Sequence, residues 1–264
     1  MELAFPENAY PDLCNKIILI TGGSGGIGQE LVLVALERGA RVAFSWMNNA
    51  QGMQKIKDAA TKKELAGQLL AVRADLSEAN QIEEMFACVL DHFGGLDVLV
   101  NNAGISHDAL LASLETKHWD QIVATNLTAP FITCKYAVEY FLKKEVAGCI
   151  LNIGSLAQLG APSNACYAAS KGGLVGLTHS IARDFADKGI TANLVALGLV
   201  ETPLTADYAW EAKQVLIQSS PLKRCATPQE AALNLLFFIS EAGKGLNGQV
   251  VYATEGIFEF PLVQ

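Results

Sequence analysis

Positive charge is scarce in this chain. Lys and Arg total 19 against 27 Asp and Glu, a formal net charge of -8, so the broad basic footprint that nucleic acid or an anionic membrane surface requires is missing. Charged residues of both signs make up only 17% of the 264 residues while hydrophobic ones make up 51%, which argues against disorder and for a large packed core. No apolar run reaches the roughly 18 residues of a membrane-spanning helix. The opening stretch MELAFPENAYPDL lacks the basic and apolar segments of a secretory signal, so a cytoplasmic location is expected, with residues 1–14 as an N-terminal extension. The cysteines (14, 88, 134, 149, 166 and 225) form no C-x-x-C. Neither a zinc site nor a disulfide framework is expected, and no metal is assigned. Cys166 alone stands out, because it adjoins Tyr167.

Low-complexity linkers are missing too, and the whole chain, 1–264, reads as one domain. What fills it is alternation. Short Val/Ile/Leu-rich runs at 16–21, 41–46, 68–73, 97–101, 149–154, 191–195 and 249–252 mostly lack polar alternation, as strands buried on both faces do. Helical spacing occupies 27–38, 53–65, 78–93, 119–144, 166–188 and 228–241. This order implies an α/β fold, a Rossmann-type doubly wound parallel sheet of about seven strands with helices on both faces. Residues 198–220 break the pattern and read as a substrate loop with a short helix near 210–218.

The first strand runs into T-G-G-S-G-G-I-G at 21–28, directly before a helix. Glycines here let main-chain N–H groups approach a pyrophosphate at a helix N-terminus. Two registers fit: Gly22, Gly26 and Gly28, or Gly23, Gly25 and Gly28. No Lys follows the last glycine, which excludes a P-loop ATPase. Thr21, Gly22, Ser24, Gly26, Ile27 and Gly28 are therefore candidate cofactor contacts. A dinucleotide fold normally carries an acid about 20 residues on, for the ribose 2′-hydroxyl. Here the second strand ends F-S-W-M-N-N at 44–49. A 2′-phosphate would not be repelled there, and Ser45, Asn48 and Asn49 offer donors, although the turn holds no Arg. The balance favours NADP(H) over NAD(H).

Tyr167 and Lys171 are four residues apart at the start of a helical pattern, so they share one helical face. A phenol has a reference pKa of about 10. A nearby ammonium stabilises phenolate, which would let Tyr167 exchange a proton with a substrate oxygen.

T-G-x-x-x-G-x-G, N-N-A-G at 101–104, Asn126, Ser155 and Y-x-x-x-K occur in the order and spacing of the short-chain dehydrogenase/reductase family. The chain resembles that family along essentially its whole length. The resemblance implies that Tyr167 is the general acid in reduction and the base in oxidation. Lys171 would bind the nicotinamide ribose and lower the Tyr167 pKa. Ser155 would hydrogen-bond the carbonyl oxygen, and Asn126 would hold a water linking Lys171 to solvent. Asp75 and Leu76 correspond to the adenine contact. Asn101, Asn102, Ala103 and Gly104 would lie under the adenosine, and Gly198, Val200 and Thr202 would face the carboxamide.

Two departures stand out. Leu197 replaces the family's proline, which predicts a less rigid loop, and Ala253–Gly256 replaces an Asp-Gly-Gly-like turn before an apolar tail. N-A-G-I-S-H-D-A-L-L and S-P-L-K-R-C-A-T-P-Q-E-A resemble the 3-oxoacyl-carrier-protein and acetoacetyl-CoA reductase branch. The substrate implied is a 3-oxoacyl thioester or polyketide-like ketone, with a carrier protein as a possible partner. His107 reads either as an entrance residue or as a surface one. Lys143, Lys144 and Lys188 read either as a basic rim or as solvated helix faces. The resemblance also implies a homotetramer, or a homodimer. Alternatives are an NAD-dependent sugar- or steroid-type alcohol dehydrogenase, and a cofactor-binding sensor without turnover.

Overall fold

The computed structural model describes residues 10, 13–206, 208 and 210–257. Seven strands form one sheet: β1 Ile17–Ile20, β2 Arg41–Trp46, β3 Leu69–Arg73, β4 Val98–Asn101, β5 Gly148–Ser155, β6 Ile190–Leu197 and β7 Val250–Ala253. They lie in the order β3-β2-β1-β4-β5-β6-β7, and every neighbouring pair is parallel. The helices are α1 Gly26–Glu37, α2 Ala50–Lys62, α3 Ala79–Phe93, α4 Thr116–Val123, α5 Ala129–Lys144, α6 Ala165–Asp184, α7 Pro203–Ala206, α8 Trp210–Ser219 and α9 Pro228–Ile239.

The continuous apolar runs have a direct consequence in β1. Successive side chains of a strand point to opposite faces. Ile18 and Ile20 pack with Leu31 and Leu36 of α1 and Leu235 of α9. Ile17 and Leu19 pack on the other face with Met85 and Val89 of α3 and Phe141 of α5. Two cores sandwich the sheet, which is why the strands carry no polar alternation.

The strand order reverses between β1 and β4. The loops leaving these two strands diverge there, opening a crevice at the C-terminal edge of the sheet, the standard place for a ligand in such a fold.

Several boundaries differ from the sequence expectation. The second helix begins at Ala50, not 53, because Asn49 caps it by accepting the Gly52 N–H at 2.9 Å. The helix expected at 119–144 starts at Thr116 and is interrupted by a π turn at Ala124–Thr128. Pro130 has no N–H to give to the Asn126 carbonyl four residues back, so the α ladder breaks there and the helix widens. Helix α6 stops at Asp184, and a 3₁₀ turn at Ala186–Lys188 leads to Gly189 at φ 73°. Of the N-terminal extension, residues 1–9, 11 and 12 lie outside the described residues, as does the apolar tail from 258. No helix among the described residues is long and apolar enough to cross a membrane.

Candidate active site

The glycine turn is held from beneath by Thr21. Its Oγ1 accepts the backbone N–H groups of Asn102 and Ala103, each at 3.0 Å. The Asn102 side chain returns the contact, donating to the carbonyls of Thr21 at 2.9 Å and Gly22 at 3.1 Å. The loops after β1 and β4 are thereby laced together. Gly22 adopts φ +65°, and a Cβ on it would lie 2.8 Å from the Ala103 Cα. A Cβ on Gly28 would lie 2.4 Å from the Gly22 carbonyl oxygen. Neither contact can be relieved without moving backbone, so both registers of the glycine pattern need Gly28.

Above this turn runs a cleft of about 690 Å³. Gly22, Ser24, Gly26, Ile27, Ser45, Asn48, Asp75, Leu76, Asn102, Ala103, Gly104 and Thr202 line it, all of them expected cofactor contacts. Ser45 is only 1% exposed, and its Oγ accepts the Gly22 N–H at 3.0 Å. It braces the turn more than it reaches into the cleft. Asn49 is also committed: it caps α2, and its Nδ2 donates to the Ser24 carbonyl at 2.7 Å. Asn48 remains exposed at the rim. Asp75 accepts from the backbone and the hydroxyl of Ser77 at 2.9 and 2.7 Å.

A second cavity of about 420 Å³ adjoins the first and shares Ile27, Asn102, Gly104, Thr202 and Leu204 with it. Ser155, Tyr167, Lys171, Gly198 and Val200 line this second space. The Tyr/Lys pair therefore faces the glycine-turn side of the fold. Its remaining walls are mostly apolar, with Leu156, Leu197, Leu199, Val215, Leu216 and Ile257 among them.

Ser155 stands at the end of β5, where its Oγ accepts the Ala157 N–H at 3.2 Å. That contact uses a lone pair and leaves the hydroxyl proton for another acceptor. Lys171 is 3% exposed. Its Nζ donates to the Ile153 carbonyl at 2.7 Å, which leaves two further donors. Asn126 is fully buried. Its Oδ1 accepts the Ile105 N–H, and its Nδ2 donates to the Ile105 carbonyl and to Ser170 Oγ. Those bonds fix the side chain and leave one lone pair on Oδ1. A Cβ placed on Gly104 would lie 3.6 Å from Lys171 Nζ and 3.5 Å from Asn126 Oδ1, so these groups converge beside one glycine.

The expected lowering of the Tyr167 pKa is not found. Burial raises it well above the usual phenol range, the Tyr208 phenol adds to the rise, and hydrogen bonding to Ser155 opposes it. The Lys171 Nζ sits 5.6 Å from the centre of the Tyr167 ring. Burial pulls the Lys171 ammonium down to about 8. In this protein alone the phenol keeps its proton, as a donor to a carbonyl must.

The loop expected to loosen at Leu197 is tied by the backbone. Gly198 N–H donates to Ala253, Ala226 N–H to Leu199 and Glu201 N–H to Ala226. His107 is exposed and stacks on His118, with ring centres 3.8 Å apart, and it does not line the cavity. Lys188 pairs with Asp187, and Lys143 and Lys144 are exposed at the end of α5. Cys166 is buried, and burial raises its thiol pKa.

Three residues escaped the sequence reading. Tyr208 and Asp108 line the cavity; Tyr208 lies on an irregular segment without a motif, and Asp108 lies within N-A-G-I-S-H-D-A-L-L, where no role was assigned to it. Arg73 ends β3 directly opposite Trp46 of β2. Its Nε donates to the Met47 carbonyl at 3.3 Å, and its guanidinium lies 5.8 Å from the Trp46 ring centre. Only strand pairing reveals that proximity.

A family model described as enoyl-(acyl carrier protein) reductase matches residues 22–257. The crystal structure of a short-chain type dehydrogenase/reductase from Mycobacterium marinum superposes with a TM-score of 0.87 at 28% identity, covering 94% of this chain and 98% of that one. The chain belongs to the short-chain dehydrogenase/reductase family. A 3-oxoacyl-[acyl-carrier-protein] reductase of Staphylococcus epidermidis is 32% identical over 245 residues, 92% of this chain and 99% of that protein. The 3-ketoacyl-(acyl-carrier-protein) reductase of Brucella melitensis, solved with NADH, superposes with a TM-score of 0.84 at 26% identity, covering 92% and 98%. As a family member, the protein is an oxidoreductase that acts on CH–OH and C=O groups with a nicotinamide cofactor.

Proposed function

We propose that this protein reduces a 3-oxoacyl thioester, or a polyketide-like ketone, to the secondary alcohol at the expense of NADPH. The observation that carries the reading is the meeting of Ser155, Tyr167 and Lys171 in a mostly apolar cavity that shares lining residues with the cleft above the glycine turn. The cofactor, when bound, supplies hydride to the carbonyl carbon. Two hydroxyls from this chain then meet the oxygen: Ser155 donates a hydrogen bond, and Tyr167 transfers its proton. Lys171 keeps its remaining donors for the ribose beside Tyr167, and the loss of its charge is resisted by the Ile153 carbonyl.

The description of the matching family model names an enoyl substrate. Hydride addition to either substrate leaves charge on a carbonyl oxygen, which the Ser155 and Tyr167 hydroxyls can meet; the 3-oxoacyl reading is favoured by the relative named 3-oxoacyl-[acyl-carrier-protein] reductase at 32% identity. The absence of an acid after β2 supports NADPH. The apolar walls support an acyl chain, free or on a carrier protein, and residues 198–220 act as the substrate loop. A cytoplasmic homotetramer, or a homodimer, completes the reading.

The test is oxidation of NADPH with acetoacetyl and crotonoyl thioesters in parallel. Acetoacetyl thioester is expected to be reduced and crotonoyl thioester to be inert, with the reverse result refuting the proposal. Tyr167→Phe is expected to keep cofactor affinity and lose about 100-fold or more in kcat, the range of positioned acid catalysis.

A further inference from the structure

We infer that Arg73, from the strand beside the usual recognition turn, is the residue that selects a 2′-phosphorylated adenosine, with the Trp46 ring as its shelf. The inference rests on reading the 690 Å³ cleft as the dinucleotide site.

The end of β2 borders the cleft. Trp46, Met47 and Asn48 line the cleft there, at the distance along the chain where a dinucleotide fold meets the ribose 2′-position. That turn itself carries no charge of either sign. The glycine turn adds none, since Thr21–Gly28 holds no basic residue. Neutral donors alone would bind a 2′-hydroxyl and a 2′-phosphate with little discrimination.

Register supplies the missing cation. β2 and β3 pair in parallel so that Trp46 faces Arg73. The Arg73 side chain is oriented on two sides, by its Nε–H bond to the Met47 carbonyl and by the Trp46 ring. The bond through Nε uses one of the five N–H donors and leaves the terminal nitrogens. No carboxylate pairs with Arg73 among the described residues. An exposed guanidinium held in this way, with its fork directed by neither an acid nor a backbone carbonyl, is preset for a phosphate. Part of its ordering entropy is met before a ligand arrives.

Arg73 is not itself a lining residue of the cleft, but Ala74 beside it and Trp46 and Met47, which it touches, are. A guanidinium over an indole is attracted to the ring face, which holds the charge against a residue of the cleft wall. A Lys at 73 would keep the charge but lose both the Nε bond and the planar fork.

The test uses binding and needs no turnover. NADPH, NADH, 2′,5′-ADP and 5′-AMP are titrated calorimetrically into the full chain and into Arg73→Gln and Arg73→Lys. The unmodified protein is expected to bind NADPH at least about tenfold tighter than NADH, and 2′,5′-ADP at least about tenfold tighter than 5′-AMP. Arg73→Gln is expected to weaken NADPH and 2′,5′-ADP by about tenfold or more, a change of about 1.4 kcal/mol, and to shift NADH by less than about twofold. Arg73→Lys should fall between the two. Equal losses for NADPH and NADH would make Arg73 a brace for the β2 turn and overturn the inference. So would an unmodified protein that fails to distinguish 2′,5′-ADP from 5′-AMP, a comparison that stands even where a variant does not fold. A protein that passes this test yet reduces no ketone refutes the proposed reaction and leaves the phosphate site intact.

Discussion

Replacing Thr21 by Val should cost more than any conservative change at the surface of this protein, and the reason is purely local. Thr21 is 2% exposed, and its oxygen is the shared acceptor for two consecutive backbone N–H groups, those of Asn102 and Ala103. Val has the same shape and no acceptor. Both amides lose their partner at once, and a stranded donor costs about 1–3 kcal/mol when it is buried. Asn102 and Ala103 are only half-buried, so water recovers part of that. A loss of about 2–4 kcal/mol follows from the lower half of the range. With about 2–4 °C of melting temperature per kcal/mol for a domain of this size, the midpoint should fall by roughly 5–15 °C. Thr21→Ser keeps the oxygen and removes one methyl, so it should lose about 1 kcal/mol or less. Thermal melts of the three proteins without cofactor are the assay. The same loop carries Gly104 beside Lys171, so cofactor affinity should fall with stability in the Val variant and not in the Ser variant. A Val variant as stable as the Ser variant would mean that the hydroxyl is not what joins the two loops.

Three further expectations follow. With burial holding Lys171 near 8, the ammonium is present below that pH and lost above it, so kcat/KM for NADPH should decline as pH rises through about 8. A flat profile from pH 7 to 10 would remove Lys171 from the cofactor contact. Asn126→Asp replaces a donor that meets the Ile105 carbonyl and Ser170 Oγ with an oxygen, and should cost about 2–3 kcal/mol in chemical denaturation; an unchanged midpoint refutes the assigned bonds. Trp119, Phe131 and Leu142, on or beside the long α4–α5 rod, are exposed apolar side chains. Light scattering should therefore report a mass of two or four chains, and a monomer would count against the assembly.

The alternating architecture was legible because each strand's Val/Ile/Leu run has to cover two faces. Ile17 to Ile20 show this residue by residue, each turning to the core opposite its neighbour's. What the pattern did not reveal was the end of each helix. The start at Ala50 is decided by the single Asn49 cap, and such a feature does not alter hydrophobic periodicity. The interruption at Ala124–Thr128 is readable in retrospect from Pro130, since a proline inside a helical pattern removes the donor for the carbonyl four residues earlier.

The site divides along the same line. Gly22, Gly28, Ser155, Tyr167 and Lys171 are visible because the chain spacing that identifies them is also the geometry they use, one turn of helix or one strand end. The acidity of Tyr167 is different. Proximity of a cation in sequence suggests a lowered pKa, but the charge is partly spent on Ile153 and the phenol is enclosed, so burial sets the direction. Arg73 is the clearest instance of the limit. It lies 27 positions from Trp46 in the chain and directly beside it in the sheet. No spacing rule connects them, because the relation is made by strand register, which depends on how the faces of β2 and β3 are buried. The proposed recognition of a 2′-phosphate therefore draws on two strands: Trp46 and Met47 at the end of β2 line the cleft, and β3 sets Arg73 against them.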